Sequence, residues 1–394
     1  MDWAFALLLL PVAYYSGYRF GLKDGREQGD RPDQPGQSSQ STHYLDGLNY
    51  LLNEEQDKAI ALLEQLPDEQ TERFETQLAL GNLFRRRGEL ERAIRLHQNL
   101  STRPLLSTDQ RALALSELGE DFMRAGLLDR AESLYLELID IDRPTPRTLR
   151  ALMSIYEQER DWHKAAHAAE KLVKTGDLDA SRQLAHYHCE SACAALKLDD
   201  IKAATLALAK AEQANPHALR NALLSAALAL KAVPPDVSTT VQHLKSAVDS
   251  NALFVIEALP LLRQMTQAEA AINPDQPQSK ALLSYFQNIE KGSEAALEQA
   301  RLHQIESGTT SAIEFLQERL RAKPQPRILA AWLALREQES VPDESLSWTS
   351  KAVKQALGPG LTHRCNHCGF GTTALHWQCP SCRSWDTCKP LVLI

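Results

Sequence analysis

Two cysteine pairs near the C-terminus, Cys365-Asn-His-Cys368 and Cys379-Pro-Ser-Cys382, stand ten residues apart. The C-x-x-C spacing lets both thiolates of a knuckle face one ion, and two knuckles this close form a tetrahedral, all-thiolate site. The candidate metal ligands are therefore Cys365, Cys368, Cys379 and Cys382. One zinc or iron ion fits such a shell, since both accept four thiolates. Only about 30 residues surround the site, too few for a stable apolar core, so ligation has to supply much of the folding free energy. Gly369 permits a tight turn after the first knuckle and Pro380 stiffens the second. His363, His367 and His376 are left out of the shell because four sulfurs complete it. Cys388 reads as a spare thiol, and Phe370, Trp377 and Trp385 are expected to cover the sulfurs or to dock on the rest of the chain.

A closed thiolate shell has no position open to water, so it does not support hydrolysis. The remaining sequence has no phosphate loop, no dinucleotide fingerprint and no nucleophile elbow. These features point away from an enzyme. A net charge of -8 argues against nucleic-acid binding, which favours basic surfaces. The 43% hydrophobic and 24% charged residues describe an ordinary folded chain. Seven cysteines in 394 residues are too sparse for a disulfide scaffold and fit a reducing compartment. Cys189 and Cys193, four apart in a helical segment, read as buried small residues. His186 and His188 beside them leave a second metal site as a remote option.

Residues 44–330 carry a weak self-similarity near 34 residues, the tetratricopeptide period. Gly81, Phe84, Gly88 and Ala93 are repeated in order, with the same spacing, by Gly119, Phe122, Gly126 and Ala131. Pro104 and Tyr135 with Pro144 extend the two copies. Weaker copies lie at Gly47, Tyr50, Ala59 and Leu63, and at Leu152, Tyr156, Trp162, Ala165 and Leu172. Ala203 with Ala207, and Ala312 with Leu316, mark later second helices. After about residue 215 the pattern decays around Pro234-Pro235, and helical hairpins are expected to continue. Stacking buries the face that one repeat cannot, and it leaves a groove lined by the first helices for a peptide or partner helix. The matching positions are packing residues. Arg85-Arg86-Arg87 reads as a solvated helix end.

At the other end, Trp3 to Tyr18 form an uncharged apolar run, close to the 17–25 residues that span a bilayer. No Lys or Arg precedes it, so it is read as an uncleaved anchor and not as a signal peptide, the alternative being a buried first helix of a soluble domain. Arg19, Lys23, Arg26 and Arg31 follow it, which by the positive-inside rule puts the N-terminus outside and the body in the cytoplasm. Gly17, Gly21, Gly25 and Gly29 recur at the spacing of a helix-dimerisation face, but most lie beyond the apolar run, so the spacing is read as chance or flexibility; a homo-oligomer is left open. Residues 29–43 have the Pro, Gln, Ser and Gly content of a linker.

The LLLLPVA run, LALGNLFRRRGELERAIRLHQNL at 78–100, AESLYLELID at 131–140 and the RCNHCGF to HWQCPSCRSWDTCKP tail resemble the lipopolysaccharide assembly protein B family. The resemblance implies an all-α fold: a tetratricopeptide-repeat superhelical solenoid with an N-terminal transmembrane helix and a small C-terminal rubredoxin-like metal module. The corresponding divisions are an anchor at 1–20, a linker at 21–43, repeats at 44–330, connecting helices at 331–360 and the metal module at 361–394. It also implies a single-pass protein of the bacterial inner membrane that restrains lipopolysaccharide synthesis as an adaptor. The implied partners are the FtsH protease, the LpxC deacetylase whose destruction it promotes, an inner-membrane lipopolysaccharide-sensing regulator of the YejM/PbgA type, and membrane lipid around the N-terminal helix. The alternatives are a non-proteolytic scaffold that gathers synthesis enzymes and a rubredoxin-type redox protein.

Overall fold

Short caps and left-handed turns set the rhythm of this chain. The computed structural model describes residues 56–64, 74–141, 145–272, 278–289, 292–339, 344–358 and 360–391. The expected anchor, the linker and the repeat positions Gly47 and Tyr50 lie outside the described residues, as does Pro144. Among the described residues, no helix is long and apolar enough to cross a membrane. The chain divides into two compact units, residues 1–143 and 144–394.

The first unit contains α1 (Gln56–Glu64), α2 (Phe74–Arg87), α3 (Leu90–Ser101), α4 (Thr108–Arg124) and α5 (Leu128–Ile141). Helices α2 and α3 form one hairpin, α4 and α5 the next. Each first helix ends at a glycine with positive φ, Gly88 at 82° and Gly126 at 73°, a conformation that costs other residues more. Ser107 opens α4 with a reciprocal cap: its hydroxyl accepts from the Gln110 amide, and its own amide donates to the Gln110 side chain, both at 3.1 Å. The small repeat residues serve close packing. A Cβ on Gly81 would meet the His97 ring at 2.3 Å, and one on Gly119 would meet Tyr135 at 2.7 Å. Ala59, Leu83, Phe84 and Ala93 share one apolar cluster.

The expectation of a solvated Arg85-Arg86-Arg87 helix end fails at its first member. Arg85 is largely buried and joins α2 to α4, pairing with Glu117 at 2.5 Å and Asp121 at 3.0 Å. Fully buried His97 lies 2.6 Å from the other Asp121 oxygen. Burial pushes the Arg85 guanidinium down, but the hydrogen bonds and negative charges of Glu117 and Asp121 prevail and raise its pKa. Charge that reads as solvated in the sequence is consumed between hairpins.

The second unit begins with hairpins α6 (Pro146–Glu159) with α7 (Trp162–Val173), α8 (Leu178–Lys197) with α9 (Ile201–Ala214), and α10 (Leu219–Leu230) with α11 (Val237–Ser250). Asp161, Asp177, Asp200 and Asp236 each cap a helix by accepting the amide three residues on. The left-handed position that glycine fills in the first unit is held here by Arg160 at 58° and Asp199 at 55°. The pattern therefore fades in sequence while the geometry persists. In α9 the buried stripe is Ala204, Leu208 and Ala211, one residue on from Ala203 and Ala207, because a run of alanines offers no unique face. Pro234-Pro235 lies in the turn of the α10–α11 hairpin and does not break the array.

A 3-10 turn (Ala252–Phe254) leads into α12 (Val255–Ile272), α13 (Gln278–Ile289), α14 (Glu294–Ser307), α15 (Thr309–Ala322), α16 (Pro326–Glu339) and α17 (Glu344–Ala356). Leu223, Leu244, Leu262, Met265 and Phe286 belong to one continuous core through this region. The chain ends in a three-stranded antiparallel sheet, β1 (His363–Cys365), β2 (Gly371–Thr372) and β3 (Cys388–Pro390), in the order β2-β1-β3.

Candidate metal centre

The two knuckles are built alike. The Gly369 amide donates to the Cys365 carbonyl at 2.9 Å, and the Arg383 amide to the Cys379 carbonyl at 2.8 Å. The Cys365 amide donates to Phe370 and the Cys379 amide to Ser384, at 2.8 and 3.0 Å. Both turns end in positive φ, 79° at Gly369 and 58° at Arg383. This fold points the amides of Cys368 and His367 at the Cys365 sulfur and those of Cys382 and Ser381 at the Cys379 sulfur.

All four sulfurs lie within 4.8 Å of one another. The Cys365–Cys382 and Cys368–Cys379 edges are both 3.7 Å. A tetrahedron with metal–sulfur bonds of about 2.3 Å has edges of about 3.8 Å, so the residues present fit one ion. Their electrostatics favour thiolate at two corners. The hydrogen bond with Thr387 and the knuckle amides outweigh burial and hold Cys365 down at about 5. Cys382 is lowered by the side chain and amide of Ser384. Burial pushes Cys379 up to about 12, so a cation binding there has to displace its proton. When bound, a zinc or iron ion would supply four metal–sulfur bonds that cross-link the knuckles; Cys365, Cys368, Cys379 and Cys382 would hold it.

The other candidates fall elsewhere. His363 Nε2 lies 3.0 Å from Glu257 in α12. His367 and His376 are not in the sulfur cluster. Cys388 is buried against Cys365 and Cys379. The second-site option at Cys189 and Cys193 does not assemble: His186 turns its Nε2 to Asp386, and Cys193 takes a 3.8 Å contact from Arg220. Burial raises Cys189 to about 12, as expected of a packing thiol.

Trp377 and Trp385 face the repeats, whereas Phe370 remains exposed. Trp385 stacks on His186 with centroids 4.7 Å apart and meets Trp162 and Tyr187 edge-on. Its indole N–H donates to Glu157 at 2.8 Å, and the Gln378 amide donates to the same carboxylate at 3.0 Å. Tyr187 donates its hydroxyl to Glu157 at 2.5 Å; burial, then the carboxylate charge, raises that phenol far above its ordinary value. Trp377 stacks on Phe254 with 6.0 Å between centroids, and the Arg220 guanidinium lies 5.6 Å from its ring. Glu157, His186, Tyr187, Arg220 and Glu257 come from α6, α8, α10 and α12, the first helices that line a repeat groove. In this unit the chain's own metal module covers that face. Sequence reading missed these anchors because they are scattered singly over a hundred residues; only the aromatic tail residues signalled the docking.

Comparison with known proteins agrees with the geometry. The rubredoxin metal binding domain family matches residues 363–390, and the tetratricopeptide repeat family matches residues 78–108. Lipopolysaccharide assembly protein B of Escherichia coli (strain K12) is 32% identical over 387 residues, covering 98% of this chain and 97% of that protein. The protein of the same name from Haemophilus influenzae is 31% identical over 395 residues, with the same coverage. Among solved structures, the C-terminal part of a TPR repeat-containing protein from Cytophaga hutchinsonii is similar at 14% identity and a TM-score of 0.38. That match covers 71% of this chain and 95% of the other. With relatives matched end to end at this identity, the chain belongs to the lipopolysaccharide assembly protein B family.

Proposed function

We propose that this chain is a non-enzymatic adaptor in lipopolysaccharide assembly, moored to the bacterial inner membrane with its body in the cytoplasm. The similarity over 98% of the chain to proteins named Lipopolysaccharide assembly protein B carries this reading. Two features are consistent with it. The helical hairpins offer surface for other proteins, and a four-thiolate shell holds an ion without offering it a reactant.

In its finer form, the apolar run Trp3 to Tyr18 keeps the chain in the plane of the membrane. Confinement there raises its effective concentration against a membrane-bound protease. The adaptor brings the LpxC deacetylase to the FtsH protease, and a lipopolysaccharide-sensing regulator of the YejM/PbgA type relieves it. The test is the lifetime of the deacetylase after depletion of this chain. If the chain is an adaptor, depletion lengthens that lifetime, and a chain lacking residues 1–20 fails to restore rapid turnover. Unchanged turnover with disturbed lipopolysaccharide synthesis would assign the chain to a scaffold that gathers enzymes without delivering them.

A further inference from the structure

We propose that Cys388 is the fifth thiol of the metal centre, a reserve ligand that replaces Cys368 when that cysteine is lost or blocked. The sheet places it there. Strand β3 pairs with β1 so that Cys388 lies directly opposite the ligand Cys365. One step to either side of this region, the Asn366 amide donates to Thr387 and the Leu391 amide donates to Thr362. Counting inward from those hydrogen-bonded pairs makes Cys365 and Cys388 a non-hydrogen-bonded pair. Side chains in such a pair project from the same face and approach most closely, with Cβ atoms about 4.5–5.5 Å apart. The Cys388 thiol therefore shares the side of the sheet from which Cys365 reaches the ion.

Burial gives the second part of the argument. Cys388 is 2% exposed and packs with Cys365, Cys379, Cys382 and Leu375. Cys368, by contrast, is the one exposed member of the ligand set. The ligand that an electrophile reaches first lies on the outer side, and a fifth thiol waits on the inner side. Cys388 stands outside the resident four-sulfur cluster, so it is a replacement and not a permanent ligand. This inference concerns the ion's holder and stands whether or not the chain is a protease adaptor.

The test counts thiolates around cobalt(II) in the full chain, together with metal content per chain and the rate of metal loss to a chelator. Cys368→Ser is expected to keep one ion with a four-thiolate charge-transfer spectrum. Cys368→Ser combined with Cys388→Val is expected to drop to three thiolates and to lose metal at least ten-fold faster. Cys388→Val alone is expected to match the unmodified chain. A three-thiolate or metal-free Cys368→Ser protein overturns the proposal, as does loss of a thiolate in Cys388→Val alone. A second measurement needs no substitution in the metal module: in a Cys193→Ala chain, maleimide shown by peptide mapping to sit on the exposed Cys368 should leave the ion bound by four thiolates, and its release would overturn the proposal.

Discussion

Trp385 donates its indole N–H to Glu157 at 2.8 Å, across 228 residues of sequence. That carboxylate also accepts from Gln378 and Tyr187, so three donors from the metal module and α8 converge on one side chain of α6. Hydrogen bonds to a charged acceptor are the stronger kind, and removing the acceptor leaves donors unpaired. Glu157→Ala should destabilise module docking by about 2–3 kcal/mol, with Glu157→Gln less costly. Urea titration followed by tryptophan emission measures this directly. An unchanged midpoint in both variants would remove Glu157 from the docking account.

Removal of the metal should separate the module from the helices that carry it. Cys379→Ser with Cys382→Ser deletes a whole knuckle, and the small sheet cannot fold on apolar burial alone. Far-ultraviolet dichroism should keep its helical signal, while emission from Trp377 and Trp385 shifts to the red as their stacks on Phe254 and His186 open. Loss of the helical signal would show instead that the metal holds the repeats together.

Most of the architecture was legible where one residue type has to occupy one geometry. Gly88 and Gly126 announce the end of a first helix because positive φ favours glycine. The same turn made by Arg160 and Asp199 is silent, so the repeats fade in sequence but not in space. The metal site divides in the same way. The C-x-x-C spacing and Gly369 are explicit, while Arg383 hides the equivalence of the second knuckle. Docking was legible only from one side: surplus tryptophans in a short tail need cover, but nothing local marks Glu157, His186 or Phe254 as that cover.

The silent turn makes a prediction of its own. Arg160 is exposed and left-handed at φ 58°. A residue with a Cβ is strained there by about 1–2 kcal/mol, partly offset by the freedom glycine adds to the unfolded chain. Arg160→Gly should therefore stabilise the second unit by about 0.5–1 kcal/mol. Chemical denaturation decides it, and a destabilised variant would mean that Arg160 makes contacts worth more than the strain.

Close packing in the first unit gives the opposite sign. Gly119 lies under Tyr135, whose ring is 1% exposed and has no room to retreat. Gly119→Ala should destabilise by about 1–3 kcal/mol, the range for overpacking. Adding Tyr135→Phe should not restore it, because the nearest clashes are with ring carbons and not only with the hydroxyl. Recovery in that double variant would place the conflict at the hydroxyl alone.

Acid should weaken the second unit through Glu298. This carboxylate is 3% exposed and bridges Arg263 of α12 and Arg301 of α14, both at 2.6 Å. Burial raises its pKa, but the hydrogen bonds and charges of the two guanidiniums prevail and lower it below the ordinary 4.5. A carboxylate depressed in the folded state contributes stability that is fully present above its unfolded pKa. That contribution is lost as pH falls through the lower folded value. Glu298→Gln should therefore be less stable than the unmodified chain at pH 7, and the gap between the two urea midpoints should narrow below about pH 4. A gap that stays constant down to pH 3 would mean that Glu298 acts through shape and not through charge.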